Sequence, residues 1–235
     1  MIKIIIPSHG DKSENLNSLI RSLDNQIYSN SIEVFFCEDV LSPNFKKNLK
    51  NICRGNKVFF ENKFKKRSYA LKNINACIST LSTSDIVGII DCDDFLWGND
   101  CIKNVLKEYE KGADCVWTAN SLIGTGINYS ASLNHEISVY KHPWVSSHFK
   151  TFKVSDFNKI NKSNFKDDSN EWFKSCYDQA LMLPIINNIL ERNGTCKYID
   201  KVHYIYNKED PSKPSKYRSD QLNNEKIIRN RGYLK

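Results

Sequence analysis

Ile86-Val87-Gly88-Ile89-Ile90-Asp91-Cys92-Asp93-Asp94-Phe95 decides how the rest of the chain reads. A short apolar run bounded by turn residues reads as a buried strand, and this one runs straight into three carboxylates in four positions. Two carboxylates about 4 Å apart repel by roughly 1 kcal/mol in water and by several times that in a half-buried cleft. Grouping them at a strand end therefore calls for a cation or hydrogen-bond donors nearby. Hard oxygen ligands at the carboxyl end of a strand, facing a crevice, suit Mg²⁺ or Mn²⁺ carrying a phosphate-bearing ligand. Asp-rich turns also cap helices, and a helical pattern starts near Asn99. The strand ahead of the turn and the motifs elsewhere favour the ligand reading.

Outward from this stretch, apolar runs alternate with helical patterns. Ile2 to Ile6, Ile32 to Cys37, Lys57 to Phe60 and Cys115 to Thr118 read as strands. Leu16, Leu19, Ile20 and Leu23 recur at helical spacing within a segment from about Lys12 to Gln26. Tyr69, Leu71, Ile74, Cys77, Ile78 and Leu81 outline a second helix, and Cys101 to Tyr109 a third. Strands alternating with helices predict an α/β fold with a largely parallel sheet covered on both faces. In the second half, Gly124 to Ser138 reads as loop or hairpin and Asn158 to Asn170 as a polar, mobile connection. Tyr177-Asp178-Gln179-Ala180 then opens a helical pattern that Pro184 is expected to kink or split.

The chain has 235 residues, 40% hydrophobic and 26% charged, which fits one soluble domain with a sizeable core. Its organisation reads as an α/β half over residues 1–120, an acceptor or catalytic half over 121–207, and a basic tail over 208–235 that holds a short helical pattern near Leu222 to Ile228. The apolar run at Ile2 to Ile6 is too short for an export signal, and no segment is long enough to span a bilayer. The eight cysteines form no C-x-x-C pair and read as free buried thiols, which predicts a reducing cytoplasm. Five histidines do not supply zinc-ligand spacing alongside them. The net charge of +7 concentrates between Lys46 and Lys72 and again after Lys197. Such an excess attracts anionic ligands, whether nucleotide diphosphates, acidic membrane or nucleic acid, without choosing among them.

Taken together, four elements resemble family 2 glycosyltransferases of the GT-A fold. They are a strand ending in Ile6-Pro7-Ser8, a second ending in Glu38-Asp39, a helix carrying Ala70-Leu71-Lys72-Asn73, and Asp91-Cys92-Asp93-Asp94. The resemblance runs from Ile2 to about Asn207. It implies a Rossmann-like single domain with a C-terminal acceptor-side extension, and a nucleotide-sugar donor, UDP-linked by default. It places Pro7, Ser8, Glu38 and Asp39 against the nucleotide and Lys72 near its phosphates, as a point charge where the family commonly has an arginine fork. Asp91 matches the residue near ribose or metal, Asp93 the principal ligand of a Mn²⁺ or Mg²⁺ ion, and Asp94 a cap or supporting group. His148 and Lys150 match a segment bordering donor sugar and acceptor; a surface turn packed through Phe149 and Phe152 is the competing reading.

Breaking the bond from an anomeric carbon to a nucleotide diphosphate releases negative charge, which a divalent cation stabilises. An inverting transfer also needs a carboxylate to take the acceptor hydroxyl's proton. Asp178 occupies the family's position for that base, with an N-cap role as the competing reading and Glu171, Asp167 and Asp168 in reserve. Trp144 and Trp172 read either as sugar platforms or as packing, and His203 either as a metal neighbour or as a locally bonded strand residue. The expected activity is therefore metal-dependent, inverting transfer of a sugar to an acceptor hydroxyl on a saccharide. The alternatives are a hydroxylated base in DNA as acceptor, or a non-catalytic nucleotide-sugar or glycan-binding module.

Overall fold

Isoleucine fills positions 2, 4, 5 and 6, and β1 (Ile2–Ser8) points these side chains to both faces of a sheet. Ile2, Ile4 and Ile6 pack into one apolar cluster and Ile5 into another, so the strand is covered on both sides. In a computed structural model of the chain, residues 1–8, 16–38, 57–60, 67–207 and 218–235 are described. β1 pairs in parallel with β2 (Ile32–Glu38), and β2 with β3 (Lys57–Phe60). On its other side β1 pairs in parallel with β4 (Ile86–Ile89), the strand that feeds the acidic turn. These four strands are the ones expected from the apolar runs.

The helices follow the predicted pattern with shorter bounds. The described part of the first, α1 (Leu16–Asp24), buries Leu16, Leu19, Ile20 and Leu23. α2 (Tyr69–Ile78) buries Leu71, Ile74, Cys77 and Ile78 in the cluster on the opposite face. After the short strand β5 (Phe95–Leu96), α3 (Cys101–Glu110) joins the side that α1 covers.

Beyond β6 (Cys115–Leu122) the sheet stops being a simple alternation. β7 (Lys150–Lys153) inserts antiparallel between β4 and β6, and leads into the short helix α4 (Val154–Asn158). β8 (Cys196–Tyr206) pairs in parallel with β6 and antiparallel with β5, giving the order β3-β2-β1-β4-β7-β6-β8-β5. Parallel pairings outnumber antiparallel ones, as expected for this α/β fold. Gly88 is required where β4 meets β7: a Cβ there would lie 2.6 Å from Phe149 Cζ.

Two expectations are corrected. α5 (Tyr177–Glu191) runs as one helix through Pro184, because Gln179 to Ile186 are all buried and packing supports the turn that lacks an N–H. Residues 158–170 are not a loose connection: Phe165 is fully buried, stacked between Phe157 at 5.4 Å and Trp172 at 6.2 Å. Trp172 thus belongs to core packing, and Trp144 also packs against the same cluster. In the basic tail the helix expected near Leu222 to Ile228 is present with longer bounds, α6 (Arg218–Arg231), and Ile228 is buried against α5's cluster. Arg229 fastens it, donating to the carbonyls of Tyr140 and His142 and to Gln179 Oε1.

Seven cysteines lie among the described residues, all free and six of them buried. Among the described residues no helix is long and apolar enough to cross a membrane.

Candidate active site

The acidic turn is pinned from β8. Tyr204 donates its hydroxyl to Asp94 Oδ2 at 2.6 Å and accepts from the Asp91 N–H at 3.2 Å. The Asn207 N–H donates to Asp94 Oδ1 at 2.8 Å, so both carboxylate oxygens of this fully buried residue are engaged. Burial raises the Asp94 carboxyl well above the usual range, with the Asp91 charge adding to it. Asp94 therefore anchors the turn, consistent with the supporting role expected of it. Asp91, one turn earlier, is held differently: the Tyr177 hydroxyl donates to its Oδ1. Burial pushes its carboxyl up to about 6; Lys150 opposes this, while Asp178 adds to it.

Three elements converge on that carboxylate for reasons visible in their register. β7 sets Lys150 opposite Ile89, the last residue of β4, which puts its side chain next to the turn. The Lys150 ammonium is buried, donates to the Ser147 carbonyl at 3.1 Å, and is ion-paired with Asp178. Tyr177 and Asp178 open α5, where the free N–H groups of the first turn favour an acidic side chain. Cys176 just before them adopts φ 60°, a left-handed conformation that aims the helix start at the turn. Asn224 of α6 donates to the Ser175 carbonyl at 3.2 Å and so braces the same corner.

His148 completes the arrangement. Its ring stacks on Tyr204 at 4.6 Å and on Tyr206 at 5.1 Å, and its Nδ1 is buried with no hydrogen-bond partner among the described residues. Burial, reinforced by Lys150, holds its pKa well below the ordinary value, which keeps the imidazole neutral. One ligand atom each from Asp91, Asp94 and His148 lie within 4.8 Å of one another, a group able to hold a metal ion.

The other predicted residues fall as follows. Pro7 and Ser8 end β1, beside the strand that leads into Asp91; Ser8 is buried and its Oγ has no hydrogen-bond partner among the described residues. Glu38 ends β2 opposite Ser8, and Asp39 lies outside the described residues. Lys72 is partly exposed on α2, and Asp93 is partly exposed in the turn, outside the Asp91–Asp94–His148 group. Asp167 caps a local turn, accepting from the N–H groups of Ser169 and Glu171, and Asp168 is exposed beside Arg231. His203 is a buried strand residue bonded to Asn104 at 3.0 Å, the local reading of the two given for it. Tyr177, Tyr204 and Tyr206 were not anticipated. The strand-period spacing of Tyr204 and Tyr206, which puts both rings on one face, was the available signal.

A mostly parallel sheet with an acidic turn at the end of its fourth strand, faced by a second carboxylate at a helix start, defines a GT-A-type α/β domain. The sequence profile of glycosyl transferase family 2 matches residues 3–174, and the chain belongs to that family. Among solved structures, S. aureus TarS 1–349 is similar with a TM-score of 0.65 at 15% identity, over 88% of this chain and 60% of that one. The same protein in complex with UDP gives 0.66 at 15% identity over the same shares. In complex with UDP-GlcNAc it gives 0.64 at 13% identity, over 100% of this chain and 68% of that one. This chain thus spans about three fifths of the length of the first of these. No curated protein matches it.

Proposed function

We propose that the chain moves a sugar from a nucleoside-diphosphate sugar, UDP-linked, to an acceptor hydroxyl on a saccharide with inversion at the anomeric carbon. The observation that carries this reading is the joining of Asp91, at the end of β4, to Asp178, at the start of α5, by way of Tyr177 and Lys150. A UDP-linked donor is supported by the similar structures, which hold UDP and UDP-GlcNAc. In this reading Pro7, Ser8, Glu38 and Asp39 border the nucleotide, and Lys72 attracts its phosphates. His148 and Lys150 border the donor sugar.

The residues present fit a divalent cation. Two carboxylates and a neutral imidazole with a free, buried nitrogen form a mixed oxygen and nitrogen set that takes Mn²⁺ more readily than the all-oxygen preference of Mg²⁺. Asp91, Asp94 and His148 would hold the ion, joined by Asp93 from the partly exposed side of the turn, and it would supply charge stabilisation to the departing diphosphate. The chain's own residues do the rest. Asp178 takes the proton of the acceptor hydroxyl as that oxygen bonds the anomeric carbon. The bond from that carbon to the diphosphate oxygen breaks, and its electron pair leaves with the nucleotide. Lys150 and the first turn of α5 fix the Asp178 carboxylate in place for this role.

A positioned carboxylate of this kind is superfluous in a non-catalytic binding module. The alternative acceptor is a hydroxylated base in DNA, to which the net charge of +7 is suited without selecting it, and retention on hydroxymethylated against plain duplex would reveal it. Free thiols at all seven described cysteines support a cytoplasmic setting. A thermal-shift panel of nucleotide sugars with and without Mn²⁺ tests the proposal, since a bound donor stabilises the native state by mass action. Stabilisation by a UDP-sugar that grows with Mn²⁺ is expected; no stabilisation by any nucleotide sugar would contradict it.

A further inference from the structure

An aromatic ladder leads out of the candidate centre to the surface. His148 stacks on Tyr204 and Tyr206, and Tyr129 meets Tyr206 edge-on at 6.3 Å and 79°. At its outer end Tyr129 is 45% exposed, and Ile127, two residues before it in the same turn, is 48% exposed, large hydrophobic side chains with no described cover.

This platform is fixed, not loose. The Leu122 N–H donates to the Ile127 carbonyl at 2.8 Å, and the Ile123 N–H to the Tyr206 carbonyl at 2.9 Å. The Tyr129 N–H donates to Asn120 Oδ1 at 2.8 Å, and Asn128 Oδ1 accepts from the N–H groups of Asn120 and Ser130. Ser130 Oγ donates to the His148 carbonyl at 3.1 Å, tying the turn to the residue that sits in the centre. Beneath it Asn120 is wholly buried, and its amide nitrogen has no hydrogen-bond partner. A turn held at this many points presents its ring without an ordering cost on binding.

Its chemistry selects one class of ligand. From Ala119 to Asn134 the sequence holds no Asp, Glu, Lys or Arg, in a chain that is 26% charged; Ser, Thr, Asn and Gly fill the segment between its apolar residues. A nucleic acid laid across this face would need cations for its phosphates, and among the described residues the charged side chain that the hydrogen bonds connect to this segment is acidic: Asp200, bonded through Tyr198 to Asn128. A neutral pyranose needs the reverse, an aromatic surface for its C–H face and amides or hydroxyls for its rim. Burial raises the Tyr206 phenol pKa, with the charges of Asp94, Asp91, Asp178 and Asp93 adding to it, so the ladder that starts at His148 runs within electrostatic reach of the acid cluster.

We infer that Tyr129, Ile127 and Tyr206 form the acceptor platform, and that it takes a neutral hexopyranose by its C–H face. This deepens the transferase reading and rests on it. Saturation-transfer NMR tests it with methyl glycosides of glucose, galactose and N-acetylglucosamine and their disaccharides, with UDP and Mg²⁺ present. Saturation is expected to reach the ring C–H protons of at least one glycoside, and binding is expected to weaken about fivefold in Tyr129→Ala, with a smaller loss in Ile127→Ser. UDP binding, followed in the same samples by thermal shift, reports that each variant is folded. UDP bound with no transfer to any sugar, or transfer unaltered in Tyr129→Ala, would overturn the platform and leave the donor site standing. A hydroxymethylated DNA duplex whose binding depends on Tyr129 would overturn it as well. Failure of UDP to bind would instead remove the transferase reading, and the platform with it.

Discussion

Lys150 of β7 is ion-paired with Asp178 of α5, and its side chain is only 1% exposed while that of its partner is 30% exposed. The same ammonium lies over the ring of Tyr177 at 5.2 Å, and the Tyr177 hydroxyl reaches Asp91. One buried cation thus links the strand-end turn to the helix start that faces it.

Lys150→Met tests that link. Methionine fills much of the same volume, and Asp178 is exposed enough for water to replace its partner, so the fold is expected to survive. Sugar-transfer or donor-hydrolysis turnover should fall by about 10²-fold as the carboxylate loses its fixed position. Unchanged turnover would detach Lys150 from the chemistry.

The acidic turn predicts a metal-dependent loss. Asp93→Ala and Asp91→Asn are each expected to remove the extra thermal stabilisation that Mn²⁺ gives in the presence of UDP, while circular dichroism stays native. A Mn²⁺ effect that persists in Asp93→Ala would leave the ion to Asp91, Asp94 and His148, the three residues whose ligand atoms already cluster.

Gly88 should not tolerate a side chain. An added Cβ would meet Phe149 Cζ at 2.6 Å and Cε2 at 2.8 Å, and Phe149 is fully buried between His148 and Lys150. Gly88→Ala is expected to destabilise by about 1–3 kcal/mol in urea unfolding, as overpacked cores do, and to lower turnover through the displaced neighbours. Unaltered stability would mean the β4–β7 contact is slacker than described.

Lys162 gives a pH signature away from the site. Its Nζ has no hydrogen-bond partner, sits 3.7 Å from the Phe157 ring centroid, and is pushed by burial down to about 8. The unfolded value is roughly 10.4, so between the two the unfolded chain binds more protons than the folded one. Stability from this group therefore rises with pH across that window. Lys162→Met should flatten the rise, and its advantage over the wild type should be largest near neutral pH and shrink towards pH about 10. Parallel stability curves for the two proteins would contradict this.

The first half of the fold was legible because its strands are short apolar runs and its helices carry period-3.6 stripes: Ile2 to Ile6 and Leu16 to Leu23 state their own burial. β7 and β8 were not. Lys150-Thr151-Phe152-Lys153 is bounded by charge, and Cys196 to Tyr206 mixes exposed Lys197, Asp200 and Lys201 with buried His203 and Tyr204, so neither shows a clean period. Asp91 and Asp178 could be picked out as carboxylates at a strand end and a helix start. The phenols that hold them could not, since Tyr204 lies 113 positions from Asp91 and nothing in local spacing signals that contact. Pro184 misled for a physical reason: its cost to a helix is fixed locally, whereas the burial of Gln179 to Ile186 that offsets it is set by the whole domain.

The account stands or falls on Asp178 acting at the same centre as Asp91. The direct measurement is UDP release by Asp178→Asn with donor and acceptor saturating, set beside UDP affinity for the same protein. Turnover is expected to fall by about 10²–10⁴-fold with affinity little changed, the mark of a lost proton acceptor. Equal losses in both, or turnover at the wild-type rate, would make Asp178 a helix-capping residue and contradict the account.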